Sequence, residues 1–160
     1  MKSLGLDISQ TSTGWAVLQD GLPLDFGYLQ FDKKLKLSDN LLLFSSYLET
    51  ILSKHSDLNF VCIEDTFFGR NIRTLKLLTR YSGVAIVTIR KLLPSIRLLI
   101  LAVASIRSAI FPGQKLDKDK LYRYICSKYK LNNVPDDVTD AIAAALFPFS
   151  NKRIEKRWEI

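Results

Sequence analysis

Residues 4–17, LGLDISQTSTGWAV, decide the fold of this chain and hold its first chemically informative side chain. The stretch begins as an apolar strand with Asp7 inside it, breaks into a polar turn at residues 9–12 and resumes as a second strand. A carboxylate in an apolar strand is costly to bury unless a positive charge pairs with it. The pattern therefore predicts a cation beside Asp7, and a metal ion would provide that charge.

The length and composition indicate one domain with a basic surface. The chain has 160 residues, is 48% hydrophobic and carries a formal net charge of +7, which favours an anionic partner such as nucleic acid or an acidic membrane surface. Residues 1–150 are expected to form the domain, and residues 151–160 a basic C-terminal tail. The most apolar run, residues 98–106, is too short for a membrane span. It is interpreted as a buried strand, and no membrane partner is expected.

Two features indicate the compartment. Cys62 and Cys126 lie far apart in apolar contexts, which is typical of free, buried thiols in a reducing environment. The N-terminal residues lack the long apolar core of a signal peptide. We therefore expect the protein in the cytoplasm.

Five stretches have the length and apolar pattern of β-strands. The dipeptide Asp20-Gly21 is a strong hairpin signal between the second and third, so the first three strands are expected to form an antiparallel meander. The fourth follows a helix and ends at Glu64, and a strand after such a crossover usually runs parallel to its predecessor. The predicted strands span residues 4–8, 14–18, 24–31, 60–63 and 96–103.

Helical patterns separate and follow these strands. Ser38 or Asp39 is predicted to cap the first helix and Asp117 a later one. The segment from Ile72 is ambiguous, because the β-branched residues 84–87 favour a strand by propensity but also fit one long helix that ends before Pro94. Residues 104–111 are predicted to form a short helix or a turn, and the later helices are predicted at residues 117–130 and 136–147.

Four acidic residues stand at positions where their side chains can meet. Asp7 and Glu64 lie in strands that can be neighbours, and Asp137 and Asp140 are three residues apart at the start of the last helix, so they share a face. The helix dipole alone explains acidic residues there, including Asp136, but Asp140 precedes an alanine-rich face that should be packed. Hard divalent ions such as Mg²⁺ prefer oxygen ligands. Two ions about 4 Å apart would stabilise both the attacking and the leaving oxygen in phosphodiester hydrolysis.

Three segments together resemble the acidic motifs of RuvC-type Holliday junction resolvases: the opening stretch, VCIEDTFFGRN at residues 61–71 and DDVTDAIAAAL at residues 136–146. The resemblance covers nearly the whole chain in the same order and spacing. It implies an α/β, ribonuclease H-like fold, with a five-stranded mixed sheet of three antiparallel and then two parallel strands, flanked by helices. It also implies one long helix over residues 71–92 that forms the interface of a homodimer.

The resemblance also implies an activity. Two Mg²⁺ ions, with Mn²⁺ able to substitute, would be held by four carboxylates: Asp7, Glu64, Asp137 and Asp140. The implied enzyme is an endodeoxyribonuclease that resolves four-way junctions by paired nicks, leaving 5′-phosphate and 3′-hydroxyl ends. A branch-migration motor is a possible further partner. The segment between Pro94 and Gly113 is longer and more apolar than the family pattern, and Asp136 beside Asp137 leaves the third ligand open.

The remaining predicted site residues are aromatic and basic. Phe67 stands where the family has an aromatic that works against bases at the junction centre, and an exposed ring there would stack on unpaired bases. Arg107 and Lys118 fall nearest to the family's basic positions, and Lys118 could also stabilise charge in the transition state. Cations beside the acidic site would offset its repulsion of DNA phosphates. The full predicted DNA-binding set is Phe67, Arg70, Arg73, Lys76, Arg107, Lys115, Lys118 and Lys120.

Three alternatives remain open from the sequence. A nuclease of the same fold could act on other branched DNA, such as flaps, three-way junctions or replication forks. The stretch DISQTSTGWAV also resembles the phosphate loop of sugar kinases and actin-like ATPases, but the chain is short for their two lobes and the motif at Glu64 would go unexplained. A non-catalytic junction-binding protein is less consistent with the complete set of four acids.

Overall fold

A computed structural model of the chain describes residues 1–65, 71–114, 117–150 and 159–160. Within these ranges five strands form one sheet in the order β3-β2-β1-β4-β5. The pairs β1–β2 and β2–β3 are antiparallel, and β1–β4 and β4–β5 are parallel. The fold therefore confirms the predicted mixed sheet. The strands are β1 (Lys2–Ile8), β2 (Ser12–Gln19), β3 (Leu22–Gln30), β4 (Phe60–Glu64) and β5 (Arg97–Leu101).

Helices cover both faces of the sheet, because side chains alternate between the two faces along each strand. Leu4, Leu6 and Ile8 of β1 belong to a core shared with the first two helices. Ser3, Gly5 and Asp7 therefore face the other way, where the last helix packs on β1 and β2. The helices are α1 (Leu37–Lys54), α2 (Ile72–Leu92), α3 (Val103–Ile110), α4 (Lys118–Tyr129) and α5 (Asp136–Ser150).

Helix α5 lies unusually close to the sheet at Gly5. A Cβ atom on Gly5 would stand 2.0 Å from the carbonyl oxygen of Ala141 and 2.6 Å from the amide nitrogen of Ala145. The Ser3 hydroxyl donates to the carbonyl of Ala145 at 2.7 Å, which holds the same part of the helix against β1. Small residues on both elements thus let α5 pack directly on β1, and this packing fixes how far Asp137 and Asp140 lie from the sheet.

The ambiguous segment is a single helix. α2 runs unbroken from Ile72 to Leu92, and the side chain of its N-cap residue Asn71 accepts hydrogen bonds from two backbone amides of the first turn. Tyr81, Ala85 and Ile89 are buried at helical spacing and join the core under α1. The long helix is therefore confirmed, and the strand that β-branched propensity favoured does not form.

Several predicted boundaries need correction. The N-cap of α1 is Lys36, without a side-chain cap bond, so Ser38 and Asp39 lie in the first turn instead of capping it. Strand β5 ends at Leu101, because α3 already begins at Val103. The last helix continues past Phe147 to Ser150, and Pro148 near its end removes only one backbone donor from the helix.

Residues 151–158 of the predicted tail lie outside the described part of the chain, but its last two residues are described. Glu159 pairs with Leu99 as an isolated antiparallel bridge, and the Arg97 guanidinium donates to the Glu159 carboxylate. These contacts cover the outer edge of β5. Among the helices that the structure describes, none combines the length and apolar character that crossing a bilayer requires.

Candidate active site

Asp7 and Glu64 lie side by side at the carboxyl ends of two parallel strands. The β1–β4 register pairs Leu6 with Ile63, so the next residue on each strand is one of the two acids. Both side chains point to the α5 face of the sheet, since their strand neighbours on that face, Gly5 and Cys62, meet α5 and its core. Two separate motifs of the sequence are thereby brought into contact range.

Helix α5 adds the other two acids from above. A Cβ atom on Gly14 would stand 2.0 Å from the Asp137 carbonyl oxygen and 2.8 Å from its Cβ, so only glycine at this position lets Asp137 sit directly on β2. Gly14 is the register partner of Asp7, which puts Asp137 next to the Asp7 side chain. Asp140, one turn further along α5, is buried with 8% of its surface exposed.

The acids affect one another's ionisation strongly. Burial raises the pKa of Asp7, and the nearby Glu64, Asp140 and Asp137 carboxylates raise it further. Burial likewise raises the pKa of Glu64, with Asp140 adding to it, and burial raises the pKa of Asp140. The polypeptide thus collects more negative charge in one buried place than its own cations neutralise.

Two basic residues partly offset this charge. Lys118, at the first turn of α4, places its Nζ 3.5 Å from the Asp140 Oδ2 and 3.5 Å from the Asp136 Oδ2. Burial acts to lower the pKa of Lys118, but the Asp140 and Asp136 carboxylates outweigh it, so the pKa lies above its usual value. Arg107 of α3 lies near enough to lower the pKa of both Glu64 and Asp140.

Asp136 and Asp137 are in different surroundings. Asp136 is exposed and contacts Lys118. Asp137 is half-buried, raises the pKa of Asp7 and Glu64, and accepts hydrogen bonds from the hydroxyls of Ser12 and Ser9. The position of Asp137 supports its choice as the third ligand.

The chemistry of this donor set fits a hard divalent cation. All four side chains are carboxylates, which are ligands that Mg²⁺ takes. The raised pKa of Asp7 and Glu64 means that their ionised forms are unfavourable unless a cation lies beside them. In the part of the chain that the structure describes, no three acidic, histidine or cysteine side chains close around a single point as a ready ligand set. Two of the acids are engaged elsewhere, Asp137 by Ser12 and Asp140 by Lys118.

Ser9 and Ser12 support the acidic cluster through contacts that the sequence did not reveal. Both hydroxyls donate to the Asp137 Oδ2. Ser9 also accepts from the backbone amide of Ser12 at 3.1 Å, which fixes the turn. Their spacing in a turn after a strand acid was a visible signal, but their partner lies 125 residues away from Ser12.

Replacing Ser12 with alanine is expected to weaken metal binding at Asp137. The variant removes a hydroxyl that orients the carboxylate, and losing such outer partners typically costs about 10–100-fold in metal affinity or activity. The Mg²⁺ concentration for half-maximal cleavage should therefore rise about tenfold or more, with little change in the free energy of unfolding. The exposed turn residue Thr11, replaced by alanine, is the control, and an unchanged Mg²⁺ requirement in the Ser12 variant would contradict this role.

The predicted DNA-binding residues divide into three groups. Arg73, Lys76 and Lys120 are exposed, and the Lys120 ammonium lies 3.6 Å from Asp117. Arg107 and Lys118 stand at the acidic cluster itself. Phe67, Arg70 and Lys115 lie outside the described residues. The structure adds Lys33, Lys34 and Lys36, which the sequence showed only as a charged loop. They follow β3, whose last residues lie at the same end of the sheet as Asp7.

The fold and the cluster of carboxylates together define a class. The mixed sheet in the order 3-2-1-4-5 is the ribonuclease H-like fold of nucleases that the resemblance predicted, and acids lie on its adjacent strands β1 and β4 and on helix α5, which packs on them. The chain belongs to the family described as crossover junction endodeoxyribonuclease RuvC, whose model matches residues 3–147. The predicted family and enzyme class, a DNA endonuclease, are thereby confirmed, and the ATP-binding alternative is not supported.

Individual relatives agree with this assignment. The crossover junction endodeoxyribonuclease RuvC of Caldicellulosiruptor saccharolyticus is 26% identical over 153 residues, covering 91% of this chain and 90% of the relative. The structure of T. thermophilus RuvC in complex with a Holliday junction substrate superposes with a TM-score of 0.80 at 15% identity, covering 94% and 93% of the two chains. The yeast mitochondrial Holliday junction resolvase Ydc2 gives a TM-score of 0.62 at 13% identity, covering 92% of this chain and 78% of that one. At these identities the solved structures establish the fold.

Proposed function

We propose that this protein resolves four-way DNA junctions by Mg²⁺-dependent phosphodiester hydrolysis at Asp7, Glu64, Asp137 and Asp140. One observation carries the proposal: three separate segments bring carboxylates to one end of the sheet, where burial and the neighbouring carboxylates raise the pKa of Asp7 and Glu64. Such an arrangement costs stability unless cations occupy it. In a DNA-cleaving enzyme this cost is explained, because the same carboxylates would hold the catalytic metal ions.

Each residue has a role in the proposed reaction. Two bound Mg²⁺ ions, or Mn²⁺ in their place, would activate a water for attack on phosphorus and stabilise the leaving oxygen. Asp7 and Glu64 hold the site from the sheet, and Asp137 and Asp140 hold it from α5. Lys118, already beside Asp140, is positioned to donate to a phosphate oxygen as negative charge develops there. The products are a 5′-phosphate and a 3′-hydroxyl.

The cations near the site are proposed to bind the DNA backbone. Arg73 and Lys76 project from the first turns of α2. The Gln10 side chain donates to the Thr74 hydroxyl and so links the start of α2 to the polar turn at residues 9–12. Arg107 and Lys120 flank the site from α3 and α4. Phe67 is proposed, from the resemblance, to stack on unpaired bases at the junction centre. Arg70 and Lys115 are proposed, like the cations above, to contact backbone phosphates. Contacts of this kind fix the register of the DNA without reading its sequence.

We propose a homodimer that uses the exposed face of α2. Val87 is 67% exposed on this face, and a Cβ atom on Gly83, one turn before it, would meet no atom within 4 Å. A glycine inside a helix costs about 1 kcal/mol relative to alanine, and close approach of a second helix would explain why it is there. Two active sites in one dimer could make paired nicks in strands of like polarity.

Val87→Glu is expected to weaken this dimer. A carboxylate in a helix–helix interface must be desolvated, so the dissociation constant measured by analytical ultracentrifugation should rise by at least about tenfold, while the monomer stays folded. Leu42, equally exposed at 69% on α1, is the matched control, and Leu42→Glu should leave the dimer intact. A dimer of unchanged strength in the Val87 variant would place the interface elsewhere.

Substrate choice is tested by a cleavage panel. The proposal predicts that a mobile four-way junction is cut by paired nicks in Mg²⁺, and that linear duplex is not. Faster cutting of flaps, three-way junctions or fork substrates would favour the alternative of a nuclease for other branched DNA.

We further propose that the protein acts in the cytoplasm and that a branch-migration motor is a possible partner. The partner is tested by whether a motor that moves the junction speeds cleavage.

A further inference from the structure

The sheet row that contains the catalytic acids continues to an exposed tyrosine. Asp7 pairs with Gly14 across β1 and β2, and Gly14 pairs with Tyr28 across β2 and β3. Paired Cα atoms of antiparallel strands lie about 4.5–5.5 Å apart, so the Cα atoms of Tyr28 and Asp7 are about 10 Å apart. Asp137 stands above the glycine between them.

Tyr28 points to the same face of the sheet as the acids. Its register partner Gly14 faces Asp137 on α5, and directly paired residues project to the same side. The side chain of Tyr28 is 50% exposed. It stands at the end of β3 that joins the active-site edge, two residues before Gln30, the last residue of the strand.

The Tyr28 hydroxyl has no partner among the residues that the structure describes. Across the ranges that the structure describes, Tyr28 makes no hydrogen bond and no ring–ring contact, whereas Tyr47, Tyr122 and Tyr129 each place their hydroxyl in a hydrogen bond. The ring could serve packing alone, since an aromatic residue opposite a strand glycine shields the backbone there. A phenylalanine would do that equally well, so packing leaves the hydroxyl unexplained.

We propose that Tyr28 is a substrate-contacting residue: its hydroxyl donates to a backbone phosphate of the cleaved strand, one or two nucleotides from the scissile phosphate. This inference rests on the proposed function. A strand whose scissile phosphate lies at Asp7 and which extends along the sheet row toward β3 passes Tyr28 within side-chain reach. The contact would fix the strand's direction across the site and carry no sequence information.

Two exposed apolar residues that precede Tyr28 in β3 provide matched controls. Phe26, which pairs with Ala16 of the α5 face, is 38% exposed, and Leu24, at the register shift of the strand, is 55% exposed. Both lie further from the acids than Tyr28 does. A contact specific to the cleaved strand should depend on Tyr28 and not on Leu24. A general docking surface for a protein would depend on both.

The test is single-turnover cleavage of a four-way junction by the full-length protein and its Tyr28→Phe and Leu24→Ala variants, with thermal unfolding measured in parallel. Tyr28→Phe keeps the ring, so it should unfold like the wild type but cleave roughly tenfold more slowly at limiting enzyme, as expected for a lost hydrogen bond to a charged group. Leu24→Ala should cleave like the wild type. Wild-type rates in Tyr28→Phe, or equal losses in both variants, would overturn the proposal.

A chemical substitution in the DNA identifies the contacted phosphate. Neutral methylphosphonates are placed singly at the phosphates one and two nucleotides to either side of the cut. At one position the wild type should lose as much rate as Tyr28→Phe loses on unmodified DNA, and combining the two changes should cost no more. Additive losses at every position would overturn the contact. Absence of cleavage by the wild type on unmodified junctions would instead contradict the proposed function itself, so the two failures are distinguishable.

Discussion

Asp7→Asn is expected to reduce junction cleavage by a factor on the order of a thousand or more. Asparagine keeps the shape of the side chain but removes the charge that a divalent cation requires at the centre of the cluster. The measurement is the single-turnover rate on a labelled mobile four-way junction at saturating Mg²⁺. Asp136→Asn, which changes the exposed neighbour of Asp137, is the control and should lose far less activity. Near wild-type cleavage by the Asp7 variant would remove this residue from the active site.

The same variant should be more stable than the wild type in the absence of metal. Burial and the neighbouring carboxylates raise the pKa of Asp7 in the folded state, so the folded protein holds a proton that the unfolded chain has already released. The destabilisation by Asp7 therefore begins above its unfolded pKa, near pH 4, and grows as the pH rises toward the folded pKa. A gain of about 1 kcal/mol would raise the melting temperature by roughly 2–4 °C. In EDTA, the gain should be larger at pH 8 than at pH 5, and a loss of stability at pH 8 would contradict the electrostatic account.

Gly5→Ala is expected to destabilise the fold severely. The new Cβ would stand 2.0 Å from the Ala141 carbonyl oxygen and 2.6 Å from the Ala145 amide nitrogen, and both are backbone atoms of a helix that cannot shift alone. Overpacking of a core costs about 1–3 kcal/mol and sometimes more, and this site belongs at the upper end. The free energy of unfolding, measured with urea, should fall by about 3 kcal/mol, and activity should fall with it because α5 carries Asp137 and Asp140.

A second strand glycine provides the comparison. A Cβ on Gly27 would stand 3.1 Å from ring atoms of Trp15, so a side chain, not a helix backbone, would have to move, and only by a few tenths of an ångström. Gly27→Ala should therefore cost well under half as much as Gly5→Ala. If the two variants unfold at the same urea concentration, close packing of α5 on β1 is not what the glycine at position 5 provides.

Most of the sheet was predictable from local pattern. The alternation around Asp7 and the Asp20-Gly21 turn fixed the meander, and both turn residues have the positive φ angles that such a hairpin needs. The long helix was different, because β-branched residues 84–87 pointed to a strand. Tertiary packing decided that segment: Tyr81, Ala85 and Ile89 are buried along one side of α2, and such burial outweighs intrinsic propensity.

The candidate site was predictable in its ligands but not in its supporting contacts. Asp7 and Glu64 could be found because strand position and resemblance agreed on them. The hydrogen bond from Ser12 to Asp137 could not be predicted. It depends on the close approach of α5 to Gly14, which is fixed by contacts between distant segments of the chain. Tyr28 was missed because only the register of β2 and β3 aligns it with Asp7. The roles of Phe67, Arg70 and Lys115 stay predictions.

The most direct test of the central claim, that the four carboxylates form a divalent-metal site, is a Mn²⁺ titration followed by electron paramagnetic resonance. It is made on the purified protein without DNA, and again with an uncleavable four-way junction. We expect the wild type to bind up to two Mn²⁺ ions per chain with the junction present, and Asp7→Asn to lose this binding while remaining folded and still binding the junction. Equal Mn²⁺ binding by the two proteins, or none by the wild type, would contradict the account.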